Sequence, residues 1–336
     1  MKHARRGFTL VEFMVLFGIF VILLSIFFPY LLKVREADRR IICANNLRQI
    51  GGALSNYAND NVRNFPRVVY DEANSPTGYS SFTGPDDENP FAPDSRVQPN
   101  DVTASLWLLL RQGYLKNAEV FICPGSTDSR DLMTDPAGRI VKPSQRGNFR
   151  RPSNLSYSYA SPFSNGLNFK LNSDWVKQEF ALMADKNPGV DETSDVTRPA
   201  ADSDPIALAQ ANSHHHGRAG QNVLYPNNEV GFVRTPYAGT YYGPRREKRP
   251  PGDNIYTART MHPATQPVDL PVTANGFCGR NLSPATPDDS YLVPTAQDGP
   301  SPIVNKPPAT APTTATAPAT TTSATAPSTL PATTQR

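Results

Sequence analysis

Phe13-Met-Val-Leu-Phe-Gly-Ile-Phe-Val-Ile-Leu-Leu-Ser-Ile-Phe-Phe-Pro-Tyr-Leu-Leu32 carries no charge. At about 1.5 Å of rise per residue, a helix of this length spans roughly the 30 Å hydrocarbon layer of a bilayer. Only a helix satisfies its own backbone polar groups there. Upstream, the segment Met1–Gly7 holds Lys2, Arg5 and Arg6. A secretory signal has a shorter apolar region followed by small residues at a cleavage site. This run leads instead into Lys33-Val34-Arg35-Glu36, with no Ala-x-Ala. A plain membrane anchor fits the length but leaves Glu12 unexplained. A lone acid costs roughly 2.5–3.5 kcal/mol if it reaches the bilayer centre, so its place at the edge of the run suggests a specific partner.

The residues around that acid supply a reading. Arg6-Gly7-Phe8-Thr9-Leu10-Val11-Glu12 resembles the prepilin cleavage and methylation motif. The resemblance implies that a prepilin peptidase/N-methyltransferase cuts between Gly7 and Phe8 and methylates the new amine of Phe8. It also implies that Glu12 serves processing and, in assembly, pairs with the N-terminal amine of a neighbouring subunit. Two opposite charges in a low dielectric are costly singly and much less costly together. Pro29 falls where many pilins carry a kinking proline, which removes one helical hydrogen bond. Lys33, Arg35, Arg39 and Arg40 come after the run and are partly offset by Glu36 and Asp38. Charge alone is therefore ambivalent about orientation. The resemblance implies a cytoplasmic leader, a single pass through the inner (cytoplasmic) membrane, and a remainder that is periplasmic or displayed on a filament.

Beyond the membrane, Val34, Ala37, Ile41, Ala44, Leu47, Ile50, Leu54 and Tyr57 recur at helical spacing and predict an apolar stripe that ends at Asn59-Asp60-Asn61. Gly51-Gly52 weakens this helix by about 1 kcal/mol per glycine, although close packing on a sheet favours small residues. A loop rich in Pro, Asp and Ser runs from about Pro66 to Pro99. Asn100-Asp101 then caps a short helix, Val102–Arg111, with Gly113 as its stop signal. Predicted strands are Glu119–Cys123, Leu155–Tyr159, Phe180–Ala184 and Val223–Tyr225. Asn227-Asn228 suits a tight turn from the last of these into Val230–Val233.

The order of these segments resembles a large bacterial family of pilin-like proteins of undefined function, marked by a His, a spacer and then Asp-Gly. Here the matching stretch begins at His216-Gly217, and Asn227-Asn228 stands where the family has Asp-Gly. Asn tolerates positive φ, so the hairpin is expected to survive. Chemistry that needs the Asp carboxylate does not carry over.

The composition narrows the function. Pro (34) and Gly (21) are abundant, and hydrophobic residues make up 38% of the 336, so much of the chain is loop or linker. A net charge of +3 with no basic helix argues against nucleic acid. There is no nucleophile elbow, phosphate-binding Gly loop or pair of acids at helical spacing. No catalytic residue, cofactor or metal is assigned, and the chain is read as the substrate of an enzyme and not as one. His214-His215-His216 is read as a loop before the hairpin, since adjacent histidines splay apart; a metal site is the rival reading. Asp185 is read as a turn cap, with calcium on Asp185 and Asp86-Asp87-Glu88 as the alternative. Of the three cysteines, Cys123 and Cys278 are the candidate disulfide, because Cys43 sits on the long helix. Arg245–Arg249 is read as a solvated loop, with a polyanion or envelope contact as the alternative. The Thr/Pro/Ala-rich end has too few large apolar residues to offset the entropy of ordering.

The expected fold is α+β: one long N-terminal helix packed on a small antiparallel sheet, with long loops. Residues 1–7 are the leader, 8–32 the transmembrane helix, 33–58 its amphipathic continuation, 59–295 a pilin-like domain and 296–336 a disordered tail. The expected role is a pilin or pseudopilin of a type II secretion or type IV pilus-like filament, with other pilin subunits as partners. The alternative is a membrane-tethered binding or adhesin module that does not polymerise.

Overall fold

The computed structural model describes residues 8–71, 89–92, 95, 97, 99–134, 138–163, 171–189, 199, 202–241, 252–257, 290 and 292. The leader through Gly7, Asp86–Glu88, Arg245–Arg249, Cys278 and the 296–336 tail lie outside the described residues. Helix α1 spans Leu10–Asp60, a continuous rod of 51 residues, or about 76 Å at 1.5 Å per residue. It passes through Pro29 without interruption. From Phe8 to Tyr30 every large apolar side chain is exposed, from 42% at Leu24 to 73% at Leu10. Soluble monomers rarely leave so long an apolar surface bare, so this half of α1 is a candidate membrane span.

The outer half is different. Cys43, Leu47, Ile50, Leu54 and Tyr57 are buried. Ile41 at 59% and Val34 at 39% remain exposed. The buried stripe therefore starts about two and a half turns later than the periodicity predicts. Pattern alone cannot say where along a long helix the domain begins to cover it.

Helix α2 (Val102–Arg111) packs against α1 and is buried from Val102 through Leu110. Its start is fixed by Asp101, whose carboxylate accepts from the Ala104 N–H at 2.8 Å, and Gly113 at φ +84 ends the turn after it. Both features were legible in the sequence. The Trp107 ring edges onto Phe149, and its indole N–H donates to the Arg146 carbonyl at 2.9 Å. The buried Arg146 guanidinium pairs with Asp131 at 2.9 Å.

Strands β1 (Tyr157–Tyr159), β2 (Met183–Asp185), β3 (Gln221–Leu224) and β4 (Val230–Val233) form one antiparallel sheet in sequence order. Helix α1 lies across β3 and β4. A separate antiparallel pair joins β5 (Tyr237–Tyr241) to β6 (Gly252–Asn254), and the short α3 (Pro205–Gln210) precedes β3. The architecture is α+β, a long helix on small antiparallel sheets. One predicted strand is corrected: Ala118–Phe121 is a 3-10 turn. Asn117 caps it through the Glu119 N–H at 2.9 Å. Phe121 and Cys123 are buried while Ile122 is only half-buried, a pattern that mimics strand alternation.

Candidate functional site at the helix start and the helix–sheet junction

Thr9 is the N-cap of α1. Its hydroxyl oxygen accepts from the Glu12 N–H at 3.3 Å, and its own N–H donates to the Glu12 carboxylate at 2.9 Å. This is a capping box, Thr-x-x-Glu, which satisfies two orphan donors of the helix end at once. The acid of the motif is thus held by its own chain in the isolated molecule, and it sits in the first turn where the helix dipole favours negative charge. The Thr9-x-x-Glu12 spacing is readable in the sequence, but a reading of Glu12 against partners on other chains alone passes over it. Phe8, directly ahead, is 66% exposed.

A second constellation forms where α1 leaves the apolar region and meets the sheet. His216 and Gly217 lie in the turn before β3, with His216 at φ 54 and Gly217 at φ 62. This left-handed backbone directs the His216 ring inward against α1. Its Nδ1 is 2.9 Å from the Glu36 carboxylate. Its Nε2 faces the Cys123 Sγ at 3.5 Å, the Asp185 carboxylate at 3.5 Å and the Asn222 amide at 3.4 Å. Glu36 also pairs with Arg40 one turn on, at 3.2 Å, and Arg40 lies over the Phe232 ring. A Cβ at Gly125 would meet the His216 ring at 2.8 Å, so only glycine leaves that ring its space.

Asp185 closes the group from the end of β2. It is fully buried, and one oxygen accepts from the Asn222 N–H at 2.7 Å. It bridges β2 to β3 and does not cap its own turn; Asn187 performs that role, accepting from the Gly189 N–H at 2.8 Å. His215 and His216 splay as expected, with ring planes 87° apart. Both are buried, however, and stand on either side of the Asp185 carboxylate.

The disulfide also differs from expectation. Cys123 pairs with Cys43, closing a loop of sequence separation 80 with Cα atoms 5.1 Å apart; the candidate pairing of Cys123 with Cys278 is corrected. The reason is packing: at Cys43 the helix already faces the domain. Asn46 donates to the Ile122 carbonyl at 2.9 Å, and the Tyr157 hydroxyl reaches the Cys43 carbonyl. The donor atoms of Cys43, Cys123, Asp185 and His216 all lie within 4.8 Å of one another. Sequence reasoning missed this group because its members come from four separate segments.

The motif hairpin is present. The Asn228 N–H donates to the Tyr225 carbonyl at 2.9 Å, and Asn228 adopts φ 64, the conformation the substituted turn requires.

Residues 33–93 match the family described as "Protein of unknown function (DUF1559)". No curated protein and no solved structure matches the chain. The match begins where the exposed apolar half of α1 ends, and it covers the buried half and the segment after it to residue 93. Together with the apolar N-terminal helix it fits a pilin-like bacterial chain.

Proposed function

We propose that the chain is a prepilin-type protein, cut between Gly7 and Phe8 and used as a pilin or pseudopilin subunit of a filament in the cytoplasmic membrane. The observation that carries the reading is the division of one continuous helix. Its first half is apolar, bare and headed by the Thr9–Glu12 box. Its second half is built into a folded domain. Such a rod has an apolar shaft available for lateral packing and a head fixed rigidly to it. Release of the Glu12 carboxylate from Thr9 would let it meet the methylated amine of Phe8 on a neighbour. That exchange replaces two local hydrogen bonds from Thr9 by an ion pair in low dielectric.

Glu12→Ala in cells expressing the prepilin peptidase tests this. Cleavage after Gly7 is expected to persist, while cross-linking between subunits through the apolar shaft falls at least tenfold. Unchanged cross-linking, or its absence from the wild type as well, would favour the tethered module that does not polymerise.

A further inference from the structure

The four-residue group behind Glu36 has the composition and surroundings of a metal centre. Two sulfurs, one imidazole nitrogen and one carboxylate oxygen, all buried, converge within 4.8 Å. That donor set suits a borderline-soft, tetrahedral ion of the zinc type and not calcium or magnesium, which take oxygens. Three further observations bear on it. The Glu36 carboxylate at His216 Nδ1 holds that nitrogen as the donor, which leaves the Nε2 lone pair facing Cys123 and Asp185; a carboxylate behind a ligating histidine is the usual support of zinc sites. The Asp185 oxygen facing His216 Nε2 also accepts from Asn222, while the other is buried without a hydrogen-bond partner, 4.0 Å from the equally unpartnered Nδ1 of His215. Gly125 keeps the His216 ring free to sit against the sulfurs.

We propose that, when the Cys43–Cys123 bond is reduced, Cys43, Cys123, Asp185 and His216 hold one zinc ion, with Glu36 as the positioning residue for His216. The disulfide and the metal centre are then alternative closures of the same junction. Reduction cleaves the S–S bond and yields two thiols, a dithiol being oxidised to its disulfide or a phosphine, with water supplying the protons and oxygen, to its oxide. Zinc replaces their two protons, forming two Zn–S bonds. With a dithiol, the sum is protein disulfide plus dithiol plus Zn²⁺ giving the zinc dithiolate, the oxidised reductant and two protons. Glu36, with its side chain 29% exposed, is where the otherwise buried group approaches solvent. In either state α1 is fastened through Cys123 to the segment after the 3-10 turn, but only the metal state recruits His216 and Asp185 as well.

The test uses the full chain in detergent, oxidised or reduced anaerobically with a phosphine, and offered zinc or cobalt(II) alone. After desalting, the reduced chain is expected to retain one metal per chain and the oxidised chain none. The cobalt form should show a thiolate-to-cobalt charge-transfer band with tetrahedral d–d bands. Glu36→Gln is expected to weaken zinc binding about tenfold or more with the charge-transfer band retained, and His216→Ala should lose the tetrahedral spectrum. If reduction abolishes the near-ultraviolet dichroism, zinc should restore it. Equal metal in the two redox states, a cobalt spectrum without the thiolate band, wild-type affinity in Glu36→Gln, or failure of zinc to restore a lost fold would each overturn the proposal.

Discussion

Gly51 and Gly52 are neighbours on α1 with opposite surroundings. A Cβ at Gly51 would lie 2.2 Å from Asn228 Oδ1 and 2.8 Å from Leu224 Cδ1, whereas at Gly52 it would meet nothing within 4 Å. Gly51→Ala is therefore expected to destabilise the domain by about 1–3 kcal/mol through overpacking of α1 on the hairpin. Gly52→Ala is expected to stabilise it by about 0.5–1 kcal/mol, because a helix-interior glycine is replaced with no clash. Denaturant unfolding of the two variants in detergent checks the contrast, and equal effects would contradict the packing. At this scale the sequence was partly legible. The pair of glycines suggested a close approach, yet only the fold tells which of the two makes it. Asn228 at positive φ was readable from turn chemistry alone. His216 was not, because its role depends on Glu36, 180 residues away in sequence.

The elements were read best where local chemistry fixes them. Helix α2 has its cap, its apolar length and its stop within one stretch, and its predicted bounds coincide with the observed ones. Strand β4 likewise coincides, since the turn ahead of it sets the register. Glu119–Cys123 failed because a short apolar run closed by Pro124-Gly125 fits a buried strand and equally a 3-10 turn pinned at one end. The pin is the Cys43–Cys123 bond, which ties α1 to the core across a long loop. In the chain-entropy account such a loop constrains the unfolded state by about 4.5 kcal/mol, and measured effects are typically about 2–4 kcal/mol. Reduction in the presence of a chelator is expected to lower stability by that range. Thermal unfolding with and without reductant measures it, and an unchanged midpoint would remove the disulfide as a fastener.

The whole molecule carries a bare apolar shaft and a folded domain on one rod, and the folded end has a buried aromatic core. Tyr157, Tyr159 and Tyr256 are buried, and burial pushes all three phenols upward from their ordinary value near 10. A folded-state pKa above the unfolded one favours the protonated, folded form. This stability is fully present below about pH 10 and is lost as pH rises above it. Ultraviolet titration is expected to show these phenols ionising only together with the loss of near-ultraviolet dichroism; ionisation at about pH 10 in the intact fold would contradict their burial. The α+β layout was legible because its longest element announces itself. The helix–sheet junction was not, since it is assembled from α1, β2 and two turns. In the proposed function, what joins the two ends is the processing of the rod at its tip. Mass spectrometry of the chain recovered from membranes that contain the prepilin peptidase tests this most directly. The account predicts a mature N-terminus at N-methylated Phe8, and an intact chain that still begins at Met1 would contradict it.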